Sequence, residues 1–500
     1  MILGYFYKLR KPVKLKIPLL LLIWLTIYFI LLILHYNIIT HKLLELHSDM
    51  KAHLYYSLKL LRNSNEYKSV GYLWYHLNIV MLIRLLGLEL FRKIYSLLVF
   101  LNLLLFLSIY KFMRAILEDR KTATFVLFMV LSNNLAWLRV MLLTINYGLE
   151  NLYNYLLSVG ALAYYTHFNI TSQTYFNLLP GFLSLFLLFS FLYYNIELNT
   201  NGRKGGCLSE IILVPLVLVS YLTNPVYSIL GPIFYIFLSN LGFIRLTTIN
   251  ISAFILGGAL PLISSLFFPL VKDSYFIQSS TYFLVNTILT LMAPVIKRIK
   301  LAQILDKSLR PINSVVKFKR KFVFYLYING NLCLLFVVIF LWLWSIAVFV
   351  TMPPSFNAWS LVVRYSGLSE SGDEPLPLWV YPIVIGPNYV MLVYGLGFVK
   401  NLKALKSVLF LFCTCGVLLF AGFIIDLINT YIFYVGTTVG RLLAYVQFIS
   451  SMGAGVVLGS LVKHKSGWRF YLSIVIIILT NFIGVALSPF HWLGVIIRLG

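Results

Sequence analysis

Apolar runs long enough to cross a membrane recur along almost the whole of this chain, and that leaves few folds open. Ile17 to Leu34 is 18 residues without a charge, enough to span a hydrocarbon core of ~30 Å as a helix. Similar runs follow near 94–113, 122–143, 149–166, 178–195, 209–223, 226–241, 249–268 and 280–296, then near 322–350, 379–399, 407–427, 443–462 and 470–488. They are continuous Leu/Ile/Phe stretches, which predicts helices; a barrel would need short alternating segments. Only 11% of residues are charged, against about 25% in soluble domains, and the mean hydropathy is +0.90. The expected fold is therefore all-α, a polytopic membrane helix bundle forming one membrane domain over residues 1–500. The first run is too long for a cleaved signal peptide and no small-residue cleavage site follows it.

Basic residues orient the bundle. The first 16 residues hold Lys8, Arg10, Lys11, Lys14 and Lys16 and no acid, which predicts a cytoplasmic N-terminus in a cell membrane. Residues 39–93 then form a long outer loop. Residues 297–321 carry nine Lys/Arg and one Asp, so that loop is expected inside, and 351–378, with Pro353, Pro354, Asp373 and Glu374, outside. Counting every run as a full crossing would put 297–321 outside. One segment between 144 and 203 is therefore expected to be re-entrant, which leaves about 13 crossings and an outer C-terminus. Arg203, Lys204 and Arg245 then fall inside as well. The net charge of +25 belongs to these short loops and does not indicate nucleic acid. Asn169-Ile-Thr171 and Asn250-Ile-Ser252 match the glycosylation pattern by chance, since both are expected near the membrane or the cytoplasm. The four cysteines show no disulfide or metal spacing.

The outer loop concentrates chemistry. Five of the eight histidines, His35, His41, His47, His53 and His76, lie just after the first apolar run. Asp49 stands between His47 and His53, with Glu45 one turn earlier. An Asp within a turn or two of the membrane can cap a helix or act as a general base, and its i, i+4 relation to His53 puts both on one helical face. Imidazole plus carboxylate suits several divalent ions, but the spacing matches no strong zinc signature. No metal ligand and no cofactor is assigned, and dependence on a divalent metal stays open. Glu150 either caps a helix start or supplies a second carboxylate to the same outer cavity. Arg441, after Gly436-Thr-Thr-Val-Gly440, either snorkels or holds a phosphate.

These stretches together resemble the GT-C class of membrane glycosyltransferases, in its uncharacterised prokaryotic branch. Ser48-Asp49-Met-Lys-Ala-His53, then Tyr75-His76-Leu-Asn78, is similar to that class's acidic outer loop. Asn146-Tyr-Gly-Leu-Glu-Asn151 resembles the region after the third helix. Thr223-Asn-Pro225 resembles a Thr/Ser-His-Pro turn, with Asn224 where His is common. Leu378-Trp-Val-Tyr-Pro382 with Gly386, and Gly440-Arg441 with Tyr445, resemble late helix starts. The usual doubled acid is a single Asp49, and no large outer C-terminal domain is expected among these residues. The resemblance implies sugar transfer from a polyprenyl-phosphate donor to an acceptor glycan, lipid or protein at the outer face. It implies Asp49 as the acid/base group, with Glu150 completing the cavity. Arg441, with Lys51 or Arg84, would hold the phosphate, and His53 and His76 would orient substrate or Asp49. A transporter or lipid flippase, and a surface-polysaccharide polymerase or ligase, are the rival expectations.

Overall fold

The computed structural model describes residues 48–62, 73–95, 102–132, 180–200, 207–224, 227–267, 273–298, 387–399, 401–428 and 439–463. They are almost wholly helical, with no strand among the described residues. In chain order the helices are α1 (Ser48–Arg62), α2 (Leu73–Leu86), α3 (Leu88–Tyr95), α4 (Asn102–Leu117), α5 (Arg120–Ser132), α6 (Pro180–Thr200), α7 (Cys207–Ile211), α8 (Val214–Thr223), α9 (Tyr227–Asn240), α10 (Thr248–Phe267), α11 (Asp273–Arg298), α12 (Pro387–Phe398), α13 (Leu402–Ile428) and α14 (Val439–Lys463). Gly181–Thr200, Ser279–Lys297 and Tyr445–Lys463 are long and apolar enough to cross a membrane. The runs expected near 17–34, 149–166, 322–350 and 470–488 lie outside the described residues.

Of the run placed at 94–113, residues 102–113 lie in α4 and 94–95 end α3, and 96–101 lie outside the described residues. Gly87, at φ 77°, breaks the chain between α2 and α3 in the left-handed conformation that glycine adopts freely. One expected segment is divided. The run at 209–223 is α7 and α8, because Pro215 has no N–H to continue a helix and sits in the first turn of α8.

Helix α14 is the hub, packing against α5, α12 and α13. Bilayer lipid offers helices no hydrophobic drive to associate, so close packing at small residues does that work. Gly455 and Gly459, one turn apart, let α14 lie against α5: a side chain at Gly455 would overlap the Val126 backbone, and one at Gly459 that of Thr122. On another side Gly453 receives Leu392 of α12, and Val457 packs over Gly395. A second group, α6 with α8 to α11, is tied by side-chain hydrogen bonds. Ser184 and Ser220 bond each other's hydroxyl at 2.9 Å and each other's carbonyl. Asn250 donates to Asn195 at 3.0 Å, Asn286 to the Phe254 carbonyl at 2.8 Å, and Asn240 to the Ile296 carbonyl at 2.8 Å.

One end of the bundle collects polar turns. Lys403, starting α13, pairs with Glu118, and Lys463, ending α14, lies 3.6 Å from Asp119. Asp119 also caps α5 by accepting from the Lys121 N–H and the Thr122 hydroxyl. Lys111 lies over the Tyr193 ring near the end of α6. Arg245 donates to Asn199 at 3.0 Å, and Asn199 donates to the Phe243 carbonyl. The turns at 118–119, 199–200, 241–247 and 399–403 and the ends of α11 and α14 therefore gather together. Helices α4, α6, α9, α11, α12 and α14 run toward this end, while α5, α8, α10 and α13 run away from it. Of the segment between 144 and 203 expected to be re-entrant, residues up to 179 lie outside the described residues. Arg245 lies at the same end of the bundle as the end of α11.

Candidate functional site

Helix α1 opens with Ser48 and Asp49, which suit the positive end of a helix dipole, and closes with Lys59 and Arg62, which suit the negative end. Four residues after Asp49, His53 leaves α1 toward α2. Helix α2 is amphipathic in the inverted sense. Its inner face is Leu73, Tyr75, His76, Ile79, Val80 and Ile83, while Trp74, Leu77, Met81, Leu82 and Leu85 are exposed. In water that exposed patch would be a liability; against lipid it is the ordinary surface of a membrane helix. At 14 residues α2 is too short to span a bilayer.

The two helices meet through a histidine pair. His53 Nδ1 lies 2.8 Å from His76 Nε2, one ring donating and the other accepting. The pair is walled by aromatic rings: Tyr75 stands edge-on to His53 at 5.2 Å, and Tyr56 lies beside His76 at 6.0 Å. The Ser57 hydroxyl donates back to the His53 carbonyl at 2.7 Å. His76 is fully buried, and α2 in turn packs on α8, which ends at Thr223 and the buried Asn224.

Burial lowers His53 from 6.5 to about 4. Burial, and then the proximity of His53, lowers His76 from 6.5 to about 3. Both imidazoles are thus neutral at pH 7 and available as acceptor and donor. An unfolded chain takes up protons near pH 6.5 that the folded pair refuses until pH falls to about 4. The stability this neutral pair contributes is complete above about 6.5 and drains as the pH drops through that window. We expect the melting temperature in detergent to fall between pH 6.5 and pH 4.5, and to fall less in His53→Gln/His76→Gln. Parallel pH profiles for the two proteins would remove the pair from the acid response.

The other expected site residues divide as follows. Asp49 and Lys51 stand in the first turn of α1, and Arg441 in the first turn of α14, at the end opposite Lys463. Arg84 is exposed on α2, about 12 Å along the axis from His76 at 1.5 Å per residue, and points away from the inner face. Glu150, His35, His41, His47 and Glu45 lie outside the described residues. Of the expected set, the structure brings His53 and His76 together.

Sequence reasoning passed over the buried amides. Asn195, Asn250 and Asn286 are nearly inaccessible, and their signal was visible as amides inside apolar runs, where each must find a partner. Asn250, set aside as a glycosylation acceptor, spends its amide on Asn195. Comparison with family models, with curated proteins and with solved structures finds no match to this chain.

Proposed function

We propose that this chain is a membrane glycosyltransferase, moving a sugar from a polyprenyl-phosphate donor to an acceptor on the outer face of a cell membrane. The supporting observation is the buried His53–His76 pair. It clamps the helix that carries Asp49 and Lys51 to an apolar helix with an exposed hydrophobic face. A reaction on a lipid-linked substrate needs such a junction, with a polar group held at the edge of hydrocarbon. The segment bearing the pair feeds α4 at the end opposite Glu118 and Asp119, and the basic-loop asymmetry makes that opposite end the outer one.

In this reading Asp49 takes the proton of the acceptor hydroxyl as the anomeric carbon is attacked and the lipid phosphate leaves. Arg441, with Lys51, stabilises the charge that develops on the phosphate. The test is transfer of labelled sugar from a polyprenyl-phosphate donor by membranes that contain the protein. A surface-polysaccharide polymerase or ligase would share that donor and differ in its acceptor.

Orientation is tested separately. In a cysteine-free background Arg310→Cys should resist a membrane-impermeant thiol reagent applied to intact cells. Labelling of that position from outside would invert the bundle and put the candidate site in the cytoplasm.

A transporter or lipid flippase is the second reading, and a specific feature favours it. Pro232, Pro261 and Pro294 stand inside three consecutive helices, α9, α10 and α11. In α10 and α11 the Oδ1 atoms of Asn250 and Asn286 are buried and accept no bond among the described residues. A proline inside a helix frees a backbone carbonyl, and such groups with buried polar side chains are one means of binding a translocated substrate. Under that reading Asn286→Leu, and not Asp49→Asn, removes activity.

A further inference from the structure

Helices α4 and α6 run side by side toward the polar end of the bundle, packed through rings such as Phe112 and Phe189, 5.2 Å apart. The side of α4 left at least partly open includes Leu104, Leu107, Lys111 and Arg114, a three- and four-residue spacing that keeps them on one face. The open side of α6 includes Leu183, Leu187, Ser190, Tyr194 and Glu197 at the same kind of spacing. Both stripes begin aliphatic and turn aromatic or charged toward the polar end. From Leu183 to Tyr194 the stripe is about 16 Å long at 1.5 Å per residue, close to the depth of one leaflet of a ~30 Å core.

Two cations stand in this seam. Lys111 lies about 9 Å before the end of α4 at Leu117, measured along the axis. Its Nζ is over the Tyr193 ring of α6, 5.9 Å from the centroid, and Tyr193 packs against Tyr194 at 5.1 Å. Arg114 follows on the same face, and its charge and that of Glu197 both act on the Tyr193 hydroxyl. Lys111 and Arg114 are half-buried, and neither forms an ion pair among the described residues. Glu118, one turn beyond Arg114, is taken by Lys403. The seam thus sets two cations against the single carboxylate of Glu197. A cation at the edge of hydrocarbon is costly until an anion or polar group meets it. Tyrosines mark headgroup depth, and basic pockets between membrane helices take anionic headgroups.

We propose that the α4–α6 seam holds one anionic phospholipid at the polar end, its phosphate between Lys111 and Arg114 and an acyl chain along Leu107 and Leu187. The seam's excess of one positive charge matches one phosphodiester. A zwitterionic lipid brings its own ammonium to its phosphate and fits less well. The inference does not depend on the glycosyltransferase reading, because its test measures lipid binding alone.

The test uses full-length protein in detergent, delipidated and titrated with phosphatidylglycerol or with phosphatidylcholine of the same acyl chains. Bound lipid per chain is counted by native mass spectrometry. We expect one phosphatidylglycerol per chain at concentrations where phosphatidylcholine is not retained. A basic residue near an anionic lipid surface is worth roughly fivefold in binding, so Lys111→Gln and Arg114→Gln should each weaken retention by about that factor. Arg120→Gln/Lys121→Gln removes two exposed cations at the same end but outside the seam and should leave retention unchanged. Each variant is scored only with wild-type helicity and monodisperse elution; if neither seam variant qualifies, the wild-type comparison of the two lipids decides. Equal retention of both lipids by the wild type overturns the proposal, as does unchanged retention in Lys111→Gln and Arg114→Gln. Equal loss in Arg120→Gln/Lys121→Gln would make the attraction a property of the whole basic end and overturn it too. So would displacement of the lipid by inorganic phosphate, which would make the ligand a soluble anion.

Discussion

Asp49→Asn is expected to abolish sugar transfer while leaving the fold and the binding of lipid donor in place. The change is nearly isosteric and deletes only the ionisable function. Position 49 lies in the first turn of α1, where asparagine is as acceptable as aspartate to the helix start, so little stability should be lost. A general base contributes about 10²–10⁴-fold to a rate, and the loss should fall in that range or below detection. Arg441→Ala should differ in kind. It removes a guanidinium suited to phosphate, so donor binding should weaken along with turnover. The measurement is transfer from a radiolabelled polyprenyl-phosphate sugar in membranes with matched expression. An Asp49→Asn protein that is normally expressed and fully active would end the catalytic assignment and move the transporter reading ahead.

The second large effect concerns the hub helix. Gly455→Leu should collapse the yield of folded protein, because the new side chain meets the main chain of Val126, which cannot turn aside as a side chain can. Overpacking against movable side chains costs about 1–3 kcal/mol; a fixed backbone should cost more. Gly416→Leu in α13 is the matched control, since nothing lies within 4 Å of a Cβ there. Thermal unfolding in detergent should separate the two clearly, with Gly416→Leu near wild type. Equal melting temperatures would show that α5 and α14 do not pack at Gly455.

Much of the bundle was legible in the sequence wherever a run was both long and bounded. The segments expected at 226–241 and 249–268 are Tyr227–Asn240 and Thr248–Phe267, with Gly242 at φ 82° in the turn between them. Where the apolar run was continuous but the backbone was not, hydropathy misled. The interrupted 207–223 segment carried its signal in Pro215, which hydropathy alone passes over. The site was half legible. His53 and His76 stood out as imidazoles near an acid, yet nothing local paired them.

Apolar length, loop charge and helix period are local quantities, and the sequence by itself determined what rests on them. These are the helical class, the membrane-length segments, the basic face, and the register that sets Asp49 one turn from His53. Contacts between distant residues were decided only by the tertiary structure. His53 meets His76 across 23 positions, Glu118 meets Lys403, and Gly455 meets Val126. Such contacts depend on which helix faces close on one another, and that follows from the fit of small residues and buried amides over the whole bundle, where lipid leaves packing to decide.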